Sequence, residues 1–133
     1  MSLVNHVRNA GVVGAGGGGF PAHVKLAAKA DTLIANGAEC EPLLHKDAAV
    51  LEHHAHAVVD GILRCADALG AGAVVIAIKA KKKHAVEAAM AACEGTRARV
   101  HLLGDYYPAG DEYDLVHSVT GRLIPPAGIP LPL

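Results

Sequence analysis

Residues 73–78, Ala-Val-Val-Ile-Ala-Ile, form an unbroken apolar run with no polar alternation. A strand of this kind is covered on both faces, since a strand with one wet face would alternate. Helical patterns stand on either side of it. From Asp47 to Leu69 the apolar positions Leu51, Ala55, Val58, Ile62, Cys65 and Leu69 recur every three or four residues, and Gly70 and Gly72 close that stretch. Lys82 to Cys93 reads as a second helix, closed by Gly95. Thr32 to Ala35, ending at Asn36-Gly37, and Ala98 to Leu103 read as two more strands. Pro21 to Lys29 and Glu112 to Val119 read as helices, and Val4 to Ala10 also has a helical look. Such alternation predicts an α/β fold with a parallel sheet and helices on both faces. Aromatics make up 3% of a chain that is 52% hydrophobic, so the core is built from Ala, Val, Leu and Ile. At 133 residues this is one domain, large enough to bury about two-thirds of its unfolded surface.

The second strong feature is the run Gly14-Ala15-Gly16-Gly17-Gly18-Gly19-Phe20-Pro21. Removing side chains over such a stretch lets backbone N–H groups close on a phosphate or a ring face. Pro21 fits the first turn of a helix, whose N-terminus favours an anion. Gly14, Gly16 and Gly19 also spell the G-x-G-x-x-G fingerprint, but Val12-Val13 is short for the strand which that motif requires. The segment reads as a nucleotide loop on a Rossmann-like sheet, with a flexible linker as the bland alternative. Ligands on parallel sheets sit at the carboxyl ends of strands. Two polar segments fall there: Asn36-Gly37-Ala38-Glu39-Cys40-Glu41-Pro42, and Tyr106-Tyr107-Pro108-Ala109-Gly110-Asp111-Glu112.

Taken in order, residues 14–25, 36–42 and 106–112, followed by Thr120-Gly121-Arg122 and Pro125-Pro126, resemble the RnfC family of Rnf electron transport complexes. More distantly, the chain is similar to the flavin-bearing, NADH-oxidising subunit of respiratory complex I, and cobalamin reductases share the motifs. The resemblance runs from about Val4 to Leu131. It implies FMN and NADH as ligands, within an NADH:acceptor oxidoreductase whose iron–sulfur clusters lie outside this chain. Gly14, Gly16, Gly17 and Gly19 would approach the nucleotides by backbone, and Phe20 would stack on adenine. Lys25 matches a flavin-contacting lysine. Asn36, Glu39 and Glu41 match flavin- and nicotinamide-contacting positions, and Tyr107, Gly110 and Glu112 match a third cofactor segment. Without the resemblance, Phe20 reads as core, Lys25 as a surface lysine and the acids as solvated. No residue is required as a covalent catalyst.

Departures from the complex I pattern bear on the phosphates. Those relatives have an arginine at the place of Ala15, a lysine at Ile124, an acid at Ala38 and an aromatic near Ala28; they carry serine at Cys40. The rival reading is therefore a non-catalytic docking or assembly module that keeps the fold. By resemblance, residues 4–124 are the nucleotide-binding domain; residues 1–3 read as a vector-derived start, and residues 125–133, with no helix or strand signal, as a Pro-rich tail at a cut in a longer protein. The partners implied are other subunits of an electron-transfer complex.

The remaining composition narrows the classes. With 12 basic and 13 acidic residues there is no electrostatic footprint for nucleic acid. Lys79, Lys81, Lys82 and Lys83 form the one basic block, expected to be a solvated helix start, with a phosphate or acidic-partner contact as the alternative. Cys40, Cys65 and Cys93 are too widely spaced for a disulfide framework or a cluster-binding run, which fits a cytoplasmic protein. No apolar stretch is long enough for direct membrane insertion. Nine histidines invite a metal site, yet His53, His56, Asp60, Arg64 and Asp67 fall on one polar helix stripe, the pattern of a solvent face.

Overall fold

The apolar run forms the middle of the sheet. A computed structural model describes residues 1–15 and 17–130; Gly16 and the last three residues lie outside the described part of the chain. The elements are, in order, α1 (Leu3–Asn9), α2 (Ala22–Leu26), β1 (Thr32–Gly37), α3 (Lys46–Leu69), β2 (Ala73–Lys79), α4 (Lys83–Cys93), β3 (Ala98–Leu103) and α5 (Glu112–Thr120). The strands make a three-stranded parallel sheet in the order β1-β2-β3. Helices flank it, giving the expected α/β architecture.

Val74 to Ile78 are each at most 1% exposed, which explains why the strand carries no polar alternation. Val74, Ile76 and Ile78 pack with Leu51, Ala55 and Val59 of α3 and with Ala85, Val86 and Ala89 of α4. Ala77 packs instead with Ala38, Leu103, Ala109 and Leu115, the last from α5. Side chains alternate across a strand, so α3 and α4 cover one face and α5 the other. Truncating Ile76 to alanine in such a core costs about 2–5 kcal/mol. α3 and α4 pack on each other, and six of their ten buried residues, Ala48, Ala55, Ala66, Ala85, Ala89 and Ala92, are alanine. Small side chains set a short distance between packed helices.

Several details depart from the expectations of the sequence. β1 runs through Asn36 and Gly37 rather than stopping before them. Gly37 eases the packing there, since a Cβ would lie 3.2 Å from both the Ala77 carbonyl and Leu51 Cδ1. α3 breaks its helical geometry at His54, where neither proline nor glycine stands to mark it. Its buried line passes through Val59 and Ala66, so Val58 and Cys65 are only partly covered. Lys79 ends β2 and is buried, not part of a solvated helix start. At the N-terminus the Ser2 hydroxyl accepts from Asn5 N–H and caps α1, of which Leu3 is the first residue. Residues 125–130 turn back on α5, where Tyr113 Oη donates to the Gly128 carbonyl at 3.0 Å.

Candidate binding site

Two of the polar segments singled out in the sequence meet at the carboxyl edge of the sheet. The Asn36 side chain donates through Nδ2 to the Gly110 carbonyl at 2.9 Å and accepts at Oδ1 from Ala38 N–H at 3.1 Å. Gly110 N–H in turn points to Cys40 Sγ at 3.2 Å, and the thiol donates to the Ala38 carbonyl at 3.4 Å. Gly110 is tightly enclosed: a Cβ would stand 3.1 Å from Ala38 Cβ and Cys40 Sγ, and 3.3 Å from Asn36 Oδ1, so these neighbours would have to give way. The loops after β1 and β3 are thereby clamped together. The Asn36 amide keeps one N–H and one lone pair for a ligand.

Cys40 belongs to this clamp although the resemblance, which implies serine at that place, gives no sign of it. A serine hydroxyl accepts and donates equally well, so that substitution preserves the bonds and conceals them.

Glu39 stands beside the clamp with its side chain 10% exposed. Its Oε2 is buried and receives no hydrogen bond, although Lys46 Nζ lies 3.3 Å away, near enough for an ion pair but without hydrogen-bond alignment. Lys46 itself is exposed and donates to Asp47 at 2.7 Å. That bond holds the ammonium above its ordinary range; partial burial opposes it and Glu39 adds to it. Glu41 is exposed, as is Glu112, which opens the first turn of α5 after the Asp111 cap. Tyr107 is 79% exposed on the same β3–α5 loop.

The glycine run forms a separate, open loop. Val13 bridges Pro21 in antiparallel fashion, with Gly14 N–H donating to the Phe20 carbonyl at 2.8 Å and Ala22 N–H to Val12 at 3.1 Å. Gly17 and Gly19 have φ of 89° and 63°, a region that side chains disfavour. A Cβ built on Gly17, Gly18 or Gly19 meets nothing within 4 Å. The loop therefore presents bare backbone outward. Gly16 lies outside the described residues. Phe20 is 48% exposed rather than core, and Lys25 Nζ sits 5.3 Å from its ring centroid, a cation–π pair. Among the described residues, the hydrogen bonds of the loop are its own, so the candidates fall into two groups: loop with Phe20 and Lys25, and clamp with Glu39.

A cleft of about 130 Å³ between β1 and α3 is lined by Ala35, Asn36, Gly37, Asp47, Val50 and Leu51, among others. It is smaller than the roughly 300–1,000 Å³ typical of cofactor pockets. Ala38 is 1% exposed and Ile124 6%, so both positions belong to the apolar interior. Among the described residues no group of three His, Cys, Asp or Glu side chains could hold a metal ion. His53, His56, Asp60, Arg64 and Asp67 are all exposed. No described helix is long and apolar enough to cross a membrane.

Comparison with known proteins gives concordant results. A family model described as the Nuo51 FMN-binding domain matches residues 7–133. The chain is 46% identical over 131 residues to cobalamin reductase PduS of Citrobacter freundii, covering 98% of this chain and 29% of that protein. It is 41% identical over 132 residues to the C subunit of the proton-translocating ferredoxin:NAD(+) oxidoreductase complex of Clostridium ljungdahlii, covering 96% and 29%. Among solved structures, an NAD+-reducing nickel–iron hydrogenase in the air-oxidized state superposes with a TM-score of 0.78 at 28% identity, covering 92% of this chain and 25% of that one. The chain thus spans between a quarter and a third of the length of these relatives.

Proposed function

The chain belongs to the Nuo51 FMN-binding domain family, and from that premise we propose that it is the flavin- and NADH-binding domain of an electron-transfer oxidoreductase of the RnfC type. The observation that carries this reading is the clamp, which brings the segments around Asn36 and Gly110 to one point at the carboxyl edge of a parallel sheet. Ligands bind at that edge in Rossmann-like folds.

The residues present fit a flavin nucleotide. Glu39 keeps a buried oxygen without a hydrogen-bond donor, which a ligand N–H or hydroxyl would satisfy. The glycine loop offers open backbone, with free space where side chains would stand. In this reading Gly14, Gly16, Gly17 and Gly19 line the nucleotides by backbone, while Phe20 gives an exposed face for adenine. Lys25 supplies a cation that favours negative charge on a reduced ring. Asn36 uses its remaining N–H and lone pair on polar groups of the ligand. Glu39 and Glu41 orient hydroxyl or amide donors, and Tyr107, Gly110 and Glu112 frame the nicotinamide nucleotide. FMN, when bound, supplies hydride acceptance from NADH and the release of electrons one at a time. The chain's own task is to bind and orient, and iron–sulfur centres elsewhere take the electrons. In this reading the protein works in the cytoplasm, peripheral to a membrane complex.

The buried apolar character of Ala38 and Ile124 favours a second reading, a docking module that has lost tight cofactor binding. Titrating FMN with the protein decides between them. Saturable quenching of flavin fluorescence, abolished in Gly17→Val, supports the first. No quenching at high protein concentration supports the second.

A further inference from the structure

Among the described residues, one buried side-chain oxygen has no hydrogen bond: Glu39 Oε2. Glu39 sits within the clamp, between Ala38, whose N–H goes to Asn36, and Cys40, whose sulfur receives the Gly110 N–H. A carboxylate so enclosed needs a cation, because burying a charge alone is costly. Among the described residues the cation paired with it is Lys46, whose Nζ stands 3.3 Å from Oε2. The place of that lysine in the fold is unfavourable on its own account. Lys46 opens α3, where the helix dipole disfavours positive charge, and no side chain caps that end of the helix. Two carboxylates compensate. The ammonium donates to Asp47 at 2.7 Å and faces Glu39 without hydrogen-bond alignment. The charge of Glu39 is thus balanced while its Oε2 lone pairs stay unused.

We propose that Lys46 is a positioning residue of the nucleotide site: it balances and orients the Glu39 carboxylate, and leaves Oε2 free for a donor of the ligand. This role rests on the flavin- and nicotinamide-binding function proposed above. A carboxylate screened from water is favoured in its charged form by a cation close by. Yet an oxygen whose lone pairs are already taken has less to offer an incoming N–H or hydroxyl. An ion pair without hydrogen-bond alignment meets both demands. Asp47 keeps it so by taking the aligned hydrogen bond of the ammonium. Lys46 is itself 66% exposed and acts through Glu39 rather than by touching the ligand.

The test is a double-mutant cycle on the whole chain, with the affinities for FMN and for NAD+ measured by titration calorimetry. Lys46→Met should weaken at least one of the two by about tenfold, the worth of one charge-assisted hydrogen bond. Lys46→Arg, which can pair with both carboxylates, should restore it. Lys46→Gln keeps a donor for Asp47 without the charge and should resemble Lys46→Met; it also serves should the methionine variant fold poorly. In a Glu39→Gln background the same substitutions should change affinity by less than about twofold, because their effect passes through Glu39. A merely structural role through Asp47 predicts otherwise: the loss would persist in Glu39→Gln, and Asp47→Asn would reproduce it. Either of those results overturns the proposal, as do unchanged affinities for both nucleotides in Lys46→Met and Lys46→Gln. Should neither nucleotide bind the wild type, the functional reading has failed and this role falls with it, an outcome distinct from binding that ignores Lys46.

Discussion

Asn36 and Gly110 stand 74 positions apart in sequence and are joined by a 2.9 Å hydrogen bond from Nδ2 to the carbonyl. The same side chain holds Ala38 N–H at 3.1 Å, so one amide fixes both the end of β1 and the loop after β3.

Asn36→Ala is expected to destabilise the protein by about 1–3 kcal/mol, because it leaves polar groups in the clamp unpaired. Urea unfolding monitored by circular dichroism measures this. An unchanged midpoint with an unchanged slope would show that solvent replaces both bonds at no cost.

Gly110→Ala should cost about 1–3 kcal/mol through overpacking against Ala38 and Cys40. Gly18→Ala, by contrast, meets open space and should stay within about 0.5 kcal/mol of wild type. Equal effects at the two glycines would mean that the clamp yields freely.

Much of this fold was legible because its signals are local. The apolar run of β2, the helical spacing in α3 and the glycines after α3 and α4 each mark an element without tertiary information. The flavin-family motifs likewise pointed to the segments around Asn36 and Gly110. Their mutual contact was not legible, since it depends on how two loops far apart in sequence fold over one edge. The burial of Lys79 was hidden for a related reason: three neighbouring lysines suggested a solvated block, while its burial comes from strand register and the side it faces. The break at His54 has no marker in the residues around it.

Acid should remove a definite part of the stability. Arg122, paired with Asp31, holds the Asp31 carboxyl below its usual value of 3.8, with Thr32 contributing less. A carboxyl with a depressed folded pKa lends stability above its unfolded value, and that stability is lost as pH falls through the folded one. Asp31→Asn should therefore flatten the loss of stability below pH 3.8. Both partners are exposed, so the change at neutral pH is small. Parallel acid profiles for the two proteins would contradict this assignment.

Burial pushes the thiols of Cys65 and Cys93 up from their ordinary value. Less thiolate is then available, and both should react with a disulfide reagent more slowly in the folded protein than in urea. Rates measured on Cys65→Ala and Cys93→Ala assign the phases. A folded-state rate equal to that in urea would show that neither site is protected.

The placement of α5 opposite α3 and α4 reverses the direction in which this sheet can grow. Connections between parallel strands are right-handed in about 98% of cases. With the helix on one face they carried the chain from β1 to β2 to β3; with α5 on the other face the same hand leads back past β2 toward β1. A strand reached from α5 by such a connection would join the sheet at the β1 edge. Asn36 would then stand where the winding changes sense, between two strands whose connections leave to opposite sides.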